Sequence, residues 1–155
     1  RIELTLQEAY DYVERGIHPN MEGQIVNEID FFLKRYPLEK SLYLAYDRIA
    51  LFGKEDSQFR ITFDENIRSR RKFMGLENGD KGELLLPKGY YLMESKIMGA
   101  TPLWFTEILS ELDIYPTSFS KYGNIYKKEM GEFHFEEMMI HRNENWDTLR
   151  RREVC

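Results

Sequence analysis

The sequence predicts an α+β protein, because segments with a helical repeat of apolar residues flank segments with the alternation typical of β-strands. The chain has 155 residues, which is enough for one domain with a single sizeable core. Hydrophobic residues make up 42% of the chain and aromatic residues 14%, the composition of a folded protein rather than a disordered one. We therefore expect antiparallel strands in the middle of the chain and helices at both flanks.

Two helices are predicted at the start of the chain. The first covers residues 4–15, where Thr5 and Glu8 have the spacing of a capping box. The second covers residues 21–36, carries an apolar stripe at helical spacing, and ends before Pro37. Both helices should bury one face against the rest of the protein.

Three strands are predicted in the middle of the chain. Residues 42–52, 58–67 and 90–98 are rich in β-branched and aromatic side chains. A polar turn joins the first two, which should therefore be neighbours in the sheet. Residues 68–88 contain several glycines and charges of both signs, and we interpret them as a long loop or an irregular hairpin.

The last part of the chain predicts two more helices. The first covers residues 102–112, with Thr101 as its cap and Pro102 in its first position. Its buried side is expected to contain Trp104, Phe105, Ile108, Leu109 and Leu112. A connector over residues 115–122 follows, then a short helix over residues 125–130. The tail from residue 131 is acidic and then basic.

Charge and cysteine content exclude several classes of protein. The net charge of −5 argues against a nucleic-acid partner, and the run Arg150–Arg152 is typical of a solvated chain end. The only cysteine, Cys155, allows no intrachain disulfide, which is typical of a cytoplasmic protein. No stretch approaches the ~20 apolar residues of a membrane span. Because the chain starts at Arg1 without Met or a signal peptide, we also expect it to be part of a longer protein.

The sequence carries no motif for nucleophilic or nucleotide-loop chemistry. His18, His134 and His141 are scattered, without metal-ligand spacing and without a neighbouring Ser or Cys nucleophile. The glycines of residues 68–88 form neither a P-loop nor a dinucleotide fingerprint, and we interpret them as turn glycines.

Charged residues lie in the middle of each predicted strand. Strand side chains alternate between two faces, so Arg60, Thr62 and Asp64 share the face opposite Phe59, Ile61 and Phe63. Glu94 and Lys96 share a face of the third strand in the same way. One interpretation is an ordinary two-layer sheet with a solvated polar face.

The other interpretation is a barrel with a charged interior. Closure would place Arg48, Arg60 and Lys96 around one axis, where they would repel each other unless an anion such as phosphate lay among them. Glu94 would then suit Mg²⁺ or Mn²⁺, because these cations take oxygen ligands and bridge phosphate oxygens. Alternation alone leaves both interpretations open.

Four short strings occur along the chain in a fixed order. They are YDRIA at residues 46–50, RITFDENIR at 60–68, YLMESK at 91–96 and SFSKY at 118–122. In this order they resemble the strand motifs of VTC domains, the polyphosphate-polymerase branch of the triphosphate tunnel metalloenzymes, and of their bacterial members in particular. The resemblance covers roughly residues 4–130.

The resemblance implies a fold and a division of the chain. The family fold is an antiparallel barrel that encloses a tunnel lined by Arg, Lys and Glu. Residues 1–130 would form the C-terminal part of such a domain, and residues 131–155 would be a separate tail. Because this chain offers too few strands to close a tunnel, we expect a partial, open barrel.

The resemblance also implies a function: metal-dependent phosphoryl transfer from ATP that makes inorganic polyphosphate, with Mn²⁺ or Mg²⁺ as cofactor. It gives Arg48, Arg60 and Lys121 catalytic roles and makes Glu94 the metal ligand. The residues implied to bind phosphate are Arg48, Arg60, Arg68, Lys96, Lys121 and Lys127. The alternatives are a polyphosphate-binding or anion-binding module without turnover, and a tripolyphosphate hydrolase of the same superfamily.

Overall fold

The computed structural model describes residues 1–136 and has a mixed α+β architecture with an open antiparallel sheet of four strands. The chain divides into two compact units. The first contains residues 1–43 and 71–80, and the second contains residues 44–70 and 81–136. The predicted α+β class is confirmed. Within the described chain, no helix is both long enough and apolar enough to cross a membrane.

The first unit contains helices α1 (Leu6–Arg15) and α2 (Gln24–Arg35). The predicted capping box of α1 is confirmed: the Glu8 amide donates to Thr5 Oγ1 at 3.2 Å, and the Thr5 amide donates to Glu8 Oε2 at 2.8 Å. Helix α2 begins three residues later than predicted, because Gly23, with a φ of 144°, occupies the position before its first turn.

Tyr12 connects the two helices of the first unit. Its side chain is buried, and its hydroxyl donates to Asp30 Oδ1 at 2.6 Å and to the Val26 carbonyl at 3.3 Å. Burial, together with the hydrogen bond to Asp30, raises the pKa of Tyr12 to about 12. The hydroxyl therefore stays protonated and keeps α1 bonded to α2.

The second unit contains the sheet. Its strands are β1 (Tyr43–Phe52), β2 (Arg60–Arg70), β3 (Glu83–Leu84) and β4 (Leu92–Lys96). Strand β2 is central and is hydrogen-bonded to the other three. Of the two interpretations of residues 68–88, the irregular hairpin agrees with the structure and the long loop does not, because β2 continues to Arg70 and β3 pairs with it antiparallel. The same segment also contains a short 3₁₀ helix, Leu76–Asn78, which belongs to the first unit.

Helix α3 (Leu103–Glu111) packs on the apolar face of the sheet. Phe105 lies edge-on to Phe59, with ring centroids 5.4 Å apart, and Ile61 joins them in the buried cluster. The predicted buried side of this helix is too wide, because Trp104, Ile108 and Leu112 are exposed. The prediction of a Thr101 cap is also wrong: Pro102 precedes the first turn, and no side chain caps the helix.

Helix α4 (Lys121–Glu129) begins four residues before the short helix that the sequence predicts. Ser120 starts it early, because its Oγ accepts a hydrogen bond from the Gly123 amide at 3.1 Å. Lys121, which the sequence analysis assigns to an irregular connector, is therefore the first residue of a helix and has a fixed direction.

Candidate functional site

The pairing of β2 with β4 determines which side chains share the polar face of the sheet. Arg60 lies opposite Lys96, Thr62 opposite Glu94, and Asp64 opposite Leu92. Directly opposed residues of an antiparallel pair point to the same face. The predicted alternation is confirmed, since Phe59 and Ile61 lie in the core beneath α3.

Asp64 is the centre of this polar face, and its side chain is fully buried. Arg48 donates to it twice, from Nε to Oδ1 at 2.5 Å and from Nη2 to Oδ2 at 2.7 Å. Lys121 Nζ lies 2.8 Å from Oδ2. Burial by itself would raise the pKa of Asp64, but the hydrogen bonds from Arg48 and Lys121 outweigh it and hold the pKa below its ordinary value.

Glu94 is the second carboxylate of the face and has a different environment. It accepts a hydrogen bond from Lys121 Nζ, and its Oε2 lies 3.5 Å from Arg48 Nη2. Its side chain is 42% exposed, whereas that of Asp64 is 0% exposed. Water can therefore replace the partners of Glu94 far more easily than it can replace those of Asp64.

Both cations stay charged at neutral pH. The hydrogen bonds to Asp64 raise the pKa of Arg48. Burial alone would lower the pKa of Lys121, but its hydrogen bonds to Asp64 and Glu94 raise it above the ordinary value. The Tyr46 ring lies 4.8 Å from the Arg48 guanidinium and 4.9 Å from Lys121 Nζ, so cation–π attraction adds to the charge pairing.

Arg60 and Lys96 form a different pair on the same face. They are direct neighbours across the two strands, and both are cationic. In residues 1–136 neither side chain has an ion pair or hydrogen bond. Like charges in this position are destabilising. With four cations, Arg48, Arg60, Lys96 and Lys121, and two carboxylates, Asp64 and Glu94, the face has an excess of two positive charges.

Arg68 does not join this face. Its Nη1 donates to Asp47 Oδ1 at 3.2 Å and to the Asn66 carbonyl at 2.8 Å. Asp47 precedes Arg48 in β1, so its side chain leaves the opposite side of that strand. Asn66 has a positive φ of 49°, which interrupts the regular alternation of β2 just before Arg68.

Lys127 also lies away from the cluster. It is exposed in the last turn of α4. Lys128 is seven residues after Lys121, so these two side chains share one side of the helix. Lys128 Nζ donates to the Leu84 carbonyl at 2.5 Å, which directs that side of α4 toward β3. The structure therefore brings Arg48, Lys121 and Glu94 together, places Arg60 and Lys96 beside each other on the same face, and keeps Arg68 and Lys127 apart.

Sequence reasoning missed the role of Asp64. The alternation of β2 placed it on the polar face beside Arg60 and Thr62, but no pattern indicated its partners. Those partners come from β1 and from α4, and both lie far from Asp64 in the sequence.

The carboxylates of the polar face determine whether a metal ion could bind there. The described part of the chain has no group of three or more His, Cys, Asp or Glu side chains that could hold a metal ion. Asp64 is buried and bonded to two cations, so Glu94 is the carboxylate of this face that a metal could reach. Mg²⁺ is commonly held by one or two carboxylates, water and substrate phosphates. Within residues 1–136, Glu94 alone does not form a metal site, and a metal held by it would take its other ligands from water or a bound ligand.

Comparison with known protein families gives one match. The family model described as VTC domain matches residues 1–130 of the chain. The comparisons with curated proteins and with solved structures give no match. The matched segment contains every residue of the polar face.

Proposed function

The chain belongs to the VTC domain family, and we propose that its polar sheet face binds the phosphates of ATP and of inorganic polyphosphate for metal-dependent phosphoryl transfer. The face would be one wall of a tunnel of the triphosphate tunnel metalloenzyme type. The observation that carries the proposal is the cross-strand pair of Arg60 and Lys96, two like charges for which residues 1–136 supply no counter-ion.

The energetics of this pair favour an anionic ligand. Two opposed cations repel each other, and the excess charge of the face is unopposed without a bound anion. A phosphate chain carries negative charge on each unit and so matches cations that lie side by side on neighbouring strands. Arg60 can bind two phosphate oxygens with its fork of N–H donors, and Lys96 adds a mobile point charge.

The chemistry that this face performs is positioning and charge stabilisation. Phosphoryl transfer requires little covalent participation by the protein, because most of the catalysis comes from aligned groups and neutralised charge. Arg48 and Lys121 are held rigidly by Asp64, so they present their remaining N–H groups in fixed directions. When bound, a Mn²⁺ or Mg²⁺ ion would neutralise charge on the phosphate oxygens, and Glu94 is the residue that would hold it.

A binding module without turnover is the second candidate. It is favoured by the presence of a single metal-accessible carboxylate, Glu94, on a face with an excess of positive charge. In this case the same cations would hold polyphosphate, and no metal would be required.

The test uses the complete natural protein that contains this chain. We expect it to bind polyphosphate and, with ATP and Mn²⁺, to form a product that an exopolyphosphatase degrades on a gel. The double variant Arg60→Gln and Lys96→Gln should weaken polyphosphate binding and lower the slope of log Kd against log salt by about 0.7–0.9 for each phosphate that the variant no longer neutralises. The control variant Lys34→Gln and Arg35→Gln, at exposed positions of α2, removes one Arg and one Lys outside the sheet and should leave binding unchanged.

The outcomes separate the candidates. Formation of polyphosphate supports the polymerase, and binding without product under all metals tested supports the binding module. Equal binding and equal salt slopes for wild type and the double variant would contradict the assignment of the polar face.

A further inference from the structure

The two carboxylates of the polar face compete with any bound phosphate, because both already occupy the cations that a phosphate would use. Asp64 accepts three hydrogen bonds, two from Arg48 and one from Lys121. Glu94 accepts one from Lys121 and has a longer contact with Arg48. A phosphate that takes the N–H groups now used by these carboxylates must therefore displace at least one of the two.

The difference in burial decides which carboxylate is displaced. If Asp64 were separated from its cations, a fully buried carboxylate would have no partner, and breaking such a pair is strongly unfavourable. If Glu94 were separated from its cations, its carboxylate would turn to water, because 42% of the side chain is already exposed. An ion pair of this exposed kind contributes little to stability.

We infer that a bound phosphate takes the place of Glu94 on Lys121 and Arg48, while Asp64 keeps both cations throughout. Asp64 is thus the fixed partner that orients the cations, and Glu94 is an exchangeable internal anion that occupies the site when no ligand is bound. The inference rests on the proposed function, since it concerns the same face and the same class of ligand.

The geometry also determines which atoms meet the ligand. Arg48 uses its Nε and one N–H of Nη2 on Asp64, so its Nη1 and the second N–H of Nη2 form the edge that faces a phosphate. Lys121 has three N–H donors: one remains bonded to Asp64, one is released when Glu94 leaves, and the third is used by neither carboxylate. The arrangement selects ligands that can bind an Arg edge and a Lys at the same time.

The test measures binding of inorganic tripolyphosphate by calorimetry, with EDTA present so that no metal takes part. We expect Glu94→Gln to bind about three- to tenfold more tightly than wild type, because the competing charge is gone. The matched control is Glu83→Gln: Glu83 is an exposed carboxylate of β3 that pairs with Lys128, so its removal changes the net charge equally but away from Arg48. It should bind as wild type does.

A second measurement needs no variant. In the NMR spectrum of the wild-type protein, the Arg48 Nε–H signal should exchange slowly with water in the free state and stay slow after tripolyphosphate is added, because its bond to Asp64 persists. Faster exchange of that proton on binding would overturn the inference, as would equal affinities of Glu94→Gln and Glu83→Gln. If wild type binds no tripolyphosphate with EDTA and none with Mn²⁺, the proposed function itself fails. If it binds only with Mn²⁺, or binds with EDTA while the two variants do not differ, only the exchange of Glu94 fails.

Discussion

Replacing Asp64 by Asn should destabilise the protein far more than replacing Glu94 by Gln. Both changes remove one carboxylate charge and keep the shape of the side chain. They act at opposite extremes of burial, since the Asp64 side chain is 0% exposed and that of Glu94 is 42% exposed. Both carboxylates pair with the same two cations, so the comparison isolates the effect of burying the carboxylate.

The structure allows the size of the effect to be estimated. Removing one partner of a buried ion pair costs about 3–5 kcal/mol. The Arg48 and Lys121 side chains keep 30% and 13% exposure, so both can recover some hydration, and Glu94 remains beside them. We therefore expect Asp64→Asn to cost ~2–3 kcal/mol, at or just below the lower end of that range. Glu94→Gln should cost no more than ~0.5 kcal/mol, as for exposed pairs.

Thermal and urea unfolding followed by circular dichroism measure both values. In a chain of this size, 1 kcal/mol shifts Tm by roughly 2–4 °C, so Asp64→Asn should lower Tm by about 5–10 °C while Glu94→Gln stays near wild type. Equal destabilisation of the two variants would refute the reasoning, since Asp64 would then be no more dependent on its partners than an exposed carboxylate.

Individual side chains give four further predictions. The pKa of Asp64 lies below its ordinary value in the folded protein. Its contribution to stability is therefore complete above the unfolded-state pKa of about 3.9 and is lost as the pH falls through the lower folded-state pKa. Between pH 5 and 2, the Tm of wild type should fall more than the Tm of Asp64→Asn. Arg48→Lys keeps the charge but cannot bond Asp64 at two points, and calorimetry should show tripolyphosphate affinity reduced about tenfold. Asn124 Nδ2 is buried without an acceptor in the described chain, so Asn124→Leu should raise the unfolding free energy by ~1 kcal/mol. An unfolding free energy of Asn124→Leu below that of wild type would contradict this. Tyr12→Phe removes the 2.6 Å hydrogen bond to Asp30 and should cost about 1–2 kcal/mol in urea unfolding.

The parts of the fold that were predictable have a signal within a few neighbouring residues. The capping box of α1 depends on Thr5 and Glu8, three residues apart, and the structure forms both of its hydrogen bonds. The two faces of β2 follow from strict alternation between residues 59 and 64, and the apolar face packs on α3 as expected. In both cases the local sequence and the tertiary packing favour the same conformation.

The parts that were missed depend on interactions between distant segments. Strand β3 has only two residues, too few for any periodicity, and it exists because Arg68 and Ser69 of β2 pair with it. The apolar residues of α3 recur at helical spacing, but only Phe105 is fully buried against Phe59 and Ile61, and Leu109 packs there partly buried. A helical repeat indicates which residues could be buried, whereas the width of the opposing surface determines how many are.

The candidate site also depends on interactions between distant segments, and here they concern the residues proposed to act in function. Alternation and spacing place Asp64 and Glu94 on one face, and nothing in the sequence distinguishes the two carboxylates there. Lys121, the first residue of α4 after the Ser120 cap, contacts both carboxylates, so exposure is what distinguishes them: Asp64 is enclosed and Glu94 lies at the open side. Burial then separates the roles that we propose: the enclosed carboxylate keeps its cations, and the open one releases them to a phosphate or holds a metal. Burial in the tertiary structure, rather than the identity of the acidic residues, therefore distinguishes the two carboxylates of this face.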